Sequence, residues 1–268
     1  MIKIHIFHTG SVIVDRAIPY KDKNPVAVTG FLRGKDKKLT LPVSSYLIEH
    51  PKGKVLIDTG WDSKYVTERP HRFFGLLDGI STPVIHDGES IDCKLRGLGL
   101  SASDIDYLFF SHMDFDHTSG LRLVKNVKRI MAAEEELVDS KKYFFRYVKT
   151  NWNFANVLPF RYSDTGQGPV GKSYDVFGDG SVILVNTPGH THGLFTVKIT
   201  AEGKYVILSG DTTYTQDSIL KRQIPGFTVD KKLAKKSLDW ICECAQDENC
   251  ILVAANQDPM IQEQVITL

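Results

Sequence analysis

Within six residues, His112-Met113-Asp114-Phe115-Asp116-His117, the chain sets two imidazoles and two carboxylates just behind the apolar run Tyr107–Phe110 and Ser111. Imidazole and carboxylate are the usual ligands of Zn, Fe and Mn. Asp114 and Asp116 point the same way if the backbone is extended, and carboxylates that close repel one another unless a cation answers them. The pattern therefore asks for a strand that ends at a polar, metal-holding site. The bland alternative is a capped turn with solvated side chains.

Three further segments speak against the bland reading. Val55-Leu56-Ile57-Asp58-Thr59-Gly60 is a strand followed by Asp-x-Gly. Asn186-Thr187-Pro188-Gly189-His190 sets a histidine behind a Pro-Gly turn at a strand end, and Leu208-Ser209-Gly210-Asp211 ends a buried strand in Gly-Asp. Each alone is an ordinary turn. In this order, after strand ends, they supply matching pieces of one site.

The rest of the chain reads as mixed α/β. Strands are expected at Val43–Ile48 and Lys54–Ile57, at Tyr107–Phe110 and at Val127–Met131. Residues 89–98 and a polar stretch from Ala132 read as helices. Segments 181–187 and 193–199, Lys204–Leu208 and the closing Ile251–Ala254 read as strands. Between the last two, Leu233, Leu238, Ile241, Cys242 and Ala245 would form one face of an amphipathic helix. Sheet inside and helices outside is the natural layering.

With 268 residues, 42% of them apolar, the chain can bury a sizeable core. Its 33 basic and 32 acidic residues leave a net charge of +1, which disfavours nucleic acid as a partner. The run Lys35-Asp36-Lys37-Lys38 reads as a solvated loop. No apolar run approaches the roughly 18 residues of a spanning helix, and Met1–Ile6 alternates like a strand rather than a leader, so a cytoplasmic protein without membrane contact is expected. Cys93, Cys242, Cys244 and Cys250 form no CxxC pair and read as reduced thiols.

Residues 143–162 hold eight aromatics, among them Tyr143, Phe144, Tyr147, Trp152 and Phe154. These five, with Phe115, are candidates for the wall of a substrate pocket. Packing on the core or an oligomer contact, a homodimer included, is the reading favoured for the segment, because aromatics dominate cores and interfaces too.

The ordered set of motifs resembles the metallo-β-lactamase superfamily, and within it the acyl-homoserine lactonase-like branch. The resemblance runs from Asp58-Thr59-Gly60 to Asn256-Gln257-Asp258 and implies one domain over residues 1–268, a four-layer αββα sandwich of the α/β (α+β) class with an aromatic-rich insertion at about 143–162. It implies one metal on His112, Asp114 and His190, a second on Asp116, His117 and a late ligand, and Asp211 between them. It gives Asp116 the task of protonating the leaving alkoxide and Tyr214, in Asp211-Thr212-Thr213-Tyr214, a hydrogen bond to substrate. Asp58 and Ser111 are expected to support the ligands from behind.

Two positions depart from the family. Asp114 stands where it has histidine, and Gln257 where it has its late histidine; no histidine lies beyond His192, itself a spare candidate. A third carboxylate shifts preference from Zn toward Fe or Mn, and Gln257 offers at best an amide oxygen. One or two divalent ions and a small-molecule substrate are thus expected, with hydrolysis of a lactone or carboxylic ester by metal-activated water. A diiron redox protein served by a partner reductase and a catalytically weak ligand-binding protein are the alternatives.

Overall fold

The computed structural model describes residues 1–24, 26–30, 32–66, 80–143 and 146–268. In chain order the first strands are β1 (Lys3–Asp15), β2 (Lys38–His50), β3 (Gly53–Ile57), β4 (Ser81–Val84), β5 (Tyr107–Phe110), β6 (Arg129–Ala133) and β7 (Val157–Phe160). Next come β8 (Ser163–Asp164), β9 (Lys172–Asp175), β10 (Val182–Asn186), β11 (Phe195–Ala201), β12 (Lys204–Leu208), β13 (Cys250–Ala254) and β14 (Gln264–Thr267). Among the described residues they form two sheets. One runs β14-β1-β2-β3-β5-β6-β7, with β4 also on β1, and the other β13-β12-β11-β10-β9-β8.

The sheets pack face to face. Ile4, Ile48 and Phe109 of the first meet Phe195, Val197 and Val206 of the second in a shared core. Helices cover the outer faces. Ile91 and Leu95 of α1 (Ile91–Gly97) lie over Leu56 and Leu108. The short helices α2 (Phe115–Thr118), α3 (Glu134–Lys142) and α4 (Gln216–Leu220) follow. On the far side Leu238, Ile241 and Cys242 of α5 (Lys231–Cys244) pack on Tyr205 and Ile207. The result is a four-layer αββα sandwich. β3, β5 and β6 run parallel, and both their faces are covered. That is why they read as unbroken apolar runs without alternation.

Several boundaries differ from the sequence expectation for local reasons. The expected Val43–Ile48 is the middle of a 13-residue strand, because β1 pairs along nearly all of β2, with a bulge between His8 and Ser11. Val127–Met131 moves to Arg129–Ala133, in register with Tyr107–Phe110. The buried side of α5 also takes in Ala234, Ser237 and Cys244, while Ala245 is its exposed end. β8 and β14 are short edge strands of mostly exposed residues, and without an apolar stripe they leave no alternation to read. The Lys35–Lys37 turn has no buried residue. No helix among the described residues is long and apolar enough to cross a membrane.

This topology sets several strand ends along one edge of the sandwich. β3 runs into Asp58 and β5 into Ser111 and His112; from the second sheet β10 leads to His190, β12 to Asp211 and β13 to Asn256 and Gln257.

Candidate metal centre

The turn after β3 is built around Asp58. Its backbone is left-handed (φ 59°), a rare conformation for a residue with a side chain. What holds it is the use made of the carboxylate. Oδ1 accepts from the Ser111 amide at 2.7 Å, and Oδ2 accepts from the Ser111 hydroxyl at 2.6 Å and from His117 Nδ1 at 2.8 Å. Gly60 completes the turn: it too is left-handed, and a Cβ there would stand 1.9 Å from Thr9 Oγ1. The turn after β10 depends on Gly189 in the same way, because a Cβ would meet the backbone of Ala234 on α5 at 2.3 Å.

These contacts settle how each imidazole faces the centre. The Ser111 hydroxyl gives its proton to Asp58, so at 3.1 Å it accepts from His112 Nδ1. His117 Nδ1 donates to Asp58, and His190 Nδ1 donates to the Phe227 carbonyl at 2.7 Å. All three rings therefore turn Nε2 inward, the arrangement by which hydrogen bonds behind a histidine orient it as a ligand.

Carboxylates surround those nitrogens. His112 Nε2 lies 3.4 Å from Asp114 Oδ2 and 3.9 Å from Asp211 Oδ2. His117 Nε2 lies 3.4 Å from Asp211 Oδ1 and 3.7 Å from Asp116 Oδ2, and His190 Nε2 is 3.8 Å from Asp211 Oδ2. Donor atoms of His112, His190 and Asp211 all fall within 4.8 Å of one another. Two ligands at about 2.1 Å from one ion, across a tetrahedral angle, stand roughly 3.4 Å apart. His112 Nε2 and His117 Nε2 are buried and have no hydrogen-bond partner. A buried nitrogen without a partner is costly, and a bound cation removes that cost. The residues therefore fit a divalent metal ion.

The electrostatics agree. Burial and the neighbouring His117 push the His112 imidazole down to about 4, leaving a neutral ring at pH 7. Burial pulls His117 down as well, yet Asp58, Asp116 and Asp211 together hold it well above the ordinary value. A positive charge is thus wanted at its Nε2. Burial, with Asp211 and Asp114 nearby, pushes Asp116 up to about 6.

Two side chains that sequence reasoning did not single out complete the centre. Arg146, buried, grips Asp114 with both arms: Nε to Oδ1 at 2.7 Å and Nη2 to Oδ2 at 2.6 Å. Nη1 donates to the His190 carbonyl, and Nη2 also donates to His190 Nε2, each at 3.0 Å. The guanidinium overrides burial and holds the Asp114 carboxyl well below the usual range. It lies over the Phe227 ring at 4.7 Å. Glu136, on α3, accepts from the Met113 amide at 3.0 Å and the Gly193 amide at 2.9 Å, tying the ligand loop after β5 to the turn that carries His190. The signal for Arg146 was present: a third carboxylate at position 114 needs a cation. The aromatics around position 146 drew attention instead.

The remaining candidates are placed as follows. Gln257 Nε2 donates to Asp116 Oδ2 at 3.3 Å and reaches Asp211 Oδ2 at 3.5 Å, while its Oε1 is buried without a partner. Asn256 donates to Asp211 Oδ1 at 3.1 Å. Asp258 turns away, to the amides of Gln216 and Met260. His192 turns outward to Asp139. Tyr214 is buried beside the centre, and burial with Asp211 and Asp116 nearby keeps its hydroxyl protonated.

A small cavity, partly open to solvent, lies over Asp114, Asp116, Arg146, His190 and Asp211. Phe115 and Tyr214 are in its wall, together with Val12, Val14, Ile18, Ile80 and Phe227. Most of the aromatic segment is not. Tyr147 is buried on the outer face of the first sheet, with Tyr143 and Trp152 packed against the same cluster, and Phe154 is half exposed. Phe144 lies outside the described residues. Among its described residues the segment contributes Arg146 to the cavity and no aromatic ring.

A family model described as the metallo-beta-lactamase superfamily matches residues 40–248. The chain is 28% identical to the N-acyl homoserine lactonase AttM of Azorhizobium caulinodans over 79% of its own length and 81% of that protein's. It is also 28% identical to an N-acyl homoserine lactonase of Bacillus cereus, over 80% of each. Among solved structures, an N-acyl homoserine lactone hydrolase with N-hexanoyl-L-homoserine bound at its catalytic metal centre superposes with a TM-score of 0.76, at 25% identity, covering 96% of this chain and 93% of that one.

Proposed function

The chain belongs to the metallo-β-lactamase superfamily, and from that premise we propose that it is a metal-dependent hydrolase that opens a lactone ring, with an N-acyl homoserine lactone as the substrate class to try first. The observation that carries the reading is a pair of buried, unpartnered imidazole nitrogens ringed by carboxylates beneath an apolar-walled cavity. The curated relatives that hydrolyse such lactones are matched over about four fifths of the chain.

His112, His117, Asp116 and Asp211 would hold the ion, with His190 and Asp114 beside them. A divalent ion there supplies Lewis acidity, polarising a carbonyl and making water a better nucleophile at neutral pH. The protein does the rest. Val12, Val14 and Phe227 offer an apolar berth for an acyl chain and exclude bulk water. Tyr214, protonated, donates its O–H to a substrate oxygen. The Asp116 carboxylate would take up the proton that the attacking water gives up and return it to the leaving alkoxide. Asp58 and Ser111 hold the imidazoles in the right tautomer throughout.

With Asp114 held by Arg146, the ion meets two imidazoles and two carboxylates, a donor set that suits zinc as well as iron or manganese. A reducing, cytoplasmic setting belongs to the reading, since all four cysteines are free thiols. The test is proton release on a panel of N-acyl homoserine lactones, simple lactones and aryl esters, with protein loaded in turn with Zn, Mn and Fe(II). Turnover that disappears with chelator and returns with metal is expected. Absence of turnover across the panel would sink the hydrolase reading and leave ligand binding, to which the Arg146–Asp114 pair lends support.

A further inference from the structure

The cluster is not equally open on its two sides. We propose that Arg146 is the permanent cation of one side, and that the protein holds a single metal ion on the other, on His112, Asp116, His117 and Asp211. This rests on the reading of the cluster as a metal centre.

The first ground is saturation. A guanidinium has five N–H donors, and four of Arg146's are used: two on Asp114, one on the His190 carbonyl and one on His190 Nε2. With Nδ1 engaged on the Phe227 carbonyl, His190 Nε2 is already enclosed by Arg146 Nη2 at 3.0 Å and Asp114 Oδ2 at 3.1 Å. Both Asp114 oxygens accept from the same guanidinium. An ion that uses His190, whether with Asp114 or with His112 and Asp211, whose donor atoms stand within 4.8 Å of its own, must first displace a buried side chain that lies over Phe227 at 4.7 Å and Tyr147 at 5.6 Å.

The second ground is the contrast across the cluster. His112 Nε2 and His117 Nε2 are buried and unpartnered, and both lie within 3.9 Å of Asp211. Gln257 holds the same side, its amide N–H₂ directed at Asp116 and Asp211 and its Oε1 a neutral oxygen without a hydrogen-bond partner.

Metal stoichiometry tests this directly. Protein saturated with Mn²⁺ or Zn²⁺ and freed of excess by desalting should contain one ion per chain by elemental analysis. Arg146→Ala, which releases Asp114 and His190, should contain two. A measurement that needs no variant is Co²⁺ loading of the wild-type protein, which should give an uncoupled high-spin paramagnetic spectrum at every loading. Two ions per chain in the wild type, a spin-coupled cobalt pair, no bound ion at all, or a folded Arg146→Ala that still stops at one ion would each overturn the proposal. Two ions with lactone turnover would defeat the single-ion proposal and spare the hydrolase; one ion without turnover would do the reverse.

Discussion

The two sides of the centre answer the same problem differently. Around Asp114 and His190 the chain brings its own cation, and both Asp114 oxygens and both His190 ring nitrogens have partners. Around His112 and His117 it leaves two inward nitrogens and the Asp116 and Asp211 carboxylates to an imported one. Buried negative charge can be balanced by the fold or by the environment. The balance supplied by the fold is permanent, while the other depends on metal supply.

The largest expected effect breaks the self-sufficient side. With chelator present, Arg146→Ala strands the buried Asp114 carboxylate and should cost about 3–5 kcal/mol in urea unfolding. The neutral pair Asp114→Asn with Arg146→Met should recover most of that loss. If the single variant is as stable as the wild type, the ion pair does not hold this side together. On the open side Tyr214→Phe removes one buried donor and should lower kcat by about 100-fold with little change in metal content. A fall in metal content instead would place the Tyr214 hydroxyl among the groups that hold the ion. Asp58→Asn should weaken metal affinity by about 10- to 100-fold, read by competition with a chromogenic chelator, because His117 Nδ1 loses its carboxylate. The smallest effect is a control at the surface: Arg161→Ala, which breaks an exposed pair with Glu134, should leave Tm and metal content unchanged.

Most of the site could be read from the sequence because its residues are local to strand ends. Asp58, His112, His190 and Asp211 each stand within a few residues of the end of an apolar run, and the run announces the strand. The layered sheets were legible for the same reason. Arg146 was not, because it comes from a turn beyond α3 and no periodicity places a turn residue against a site 32 positions earlier in the chain. Glu136 lies on the polar helix that the sequence suggested, but its inward direction depends on how α3 lies on the first sheet. The aromatic segment misled because ring content reports burial and not what a ring is buried against: Phe160 and Tyr162 joined the core between the sheets, and Tyr147 the outer layer.

The centre also lies on a seam. Asp58, His112 and His117 arrive from the first sheet, and His190, Asp211 and Gln257 from the second. An ion bound there is a rivet between two plates, and it can seat only after they have come together. Ion binding then adds to stability by mass action, RT ln(1 + [M]/Kd), or about 2.7 kcal/mol at a hundred times Kd. Metal starvation would loosen the plates at the mouth of the cavity first. The supply of one trace element would then set the lifetime of the folded protein as well as its turnover.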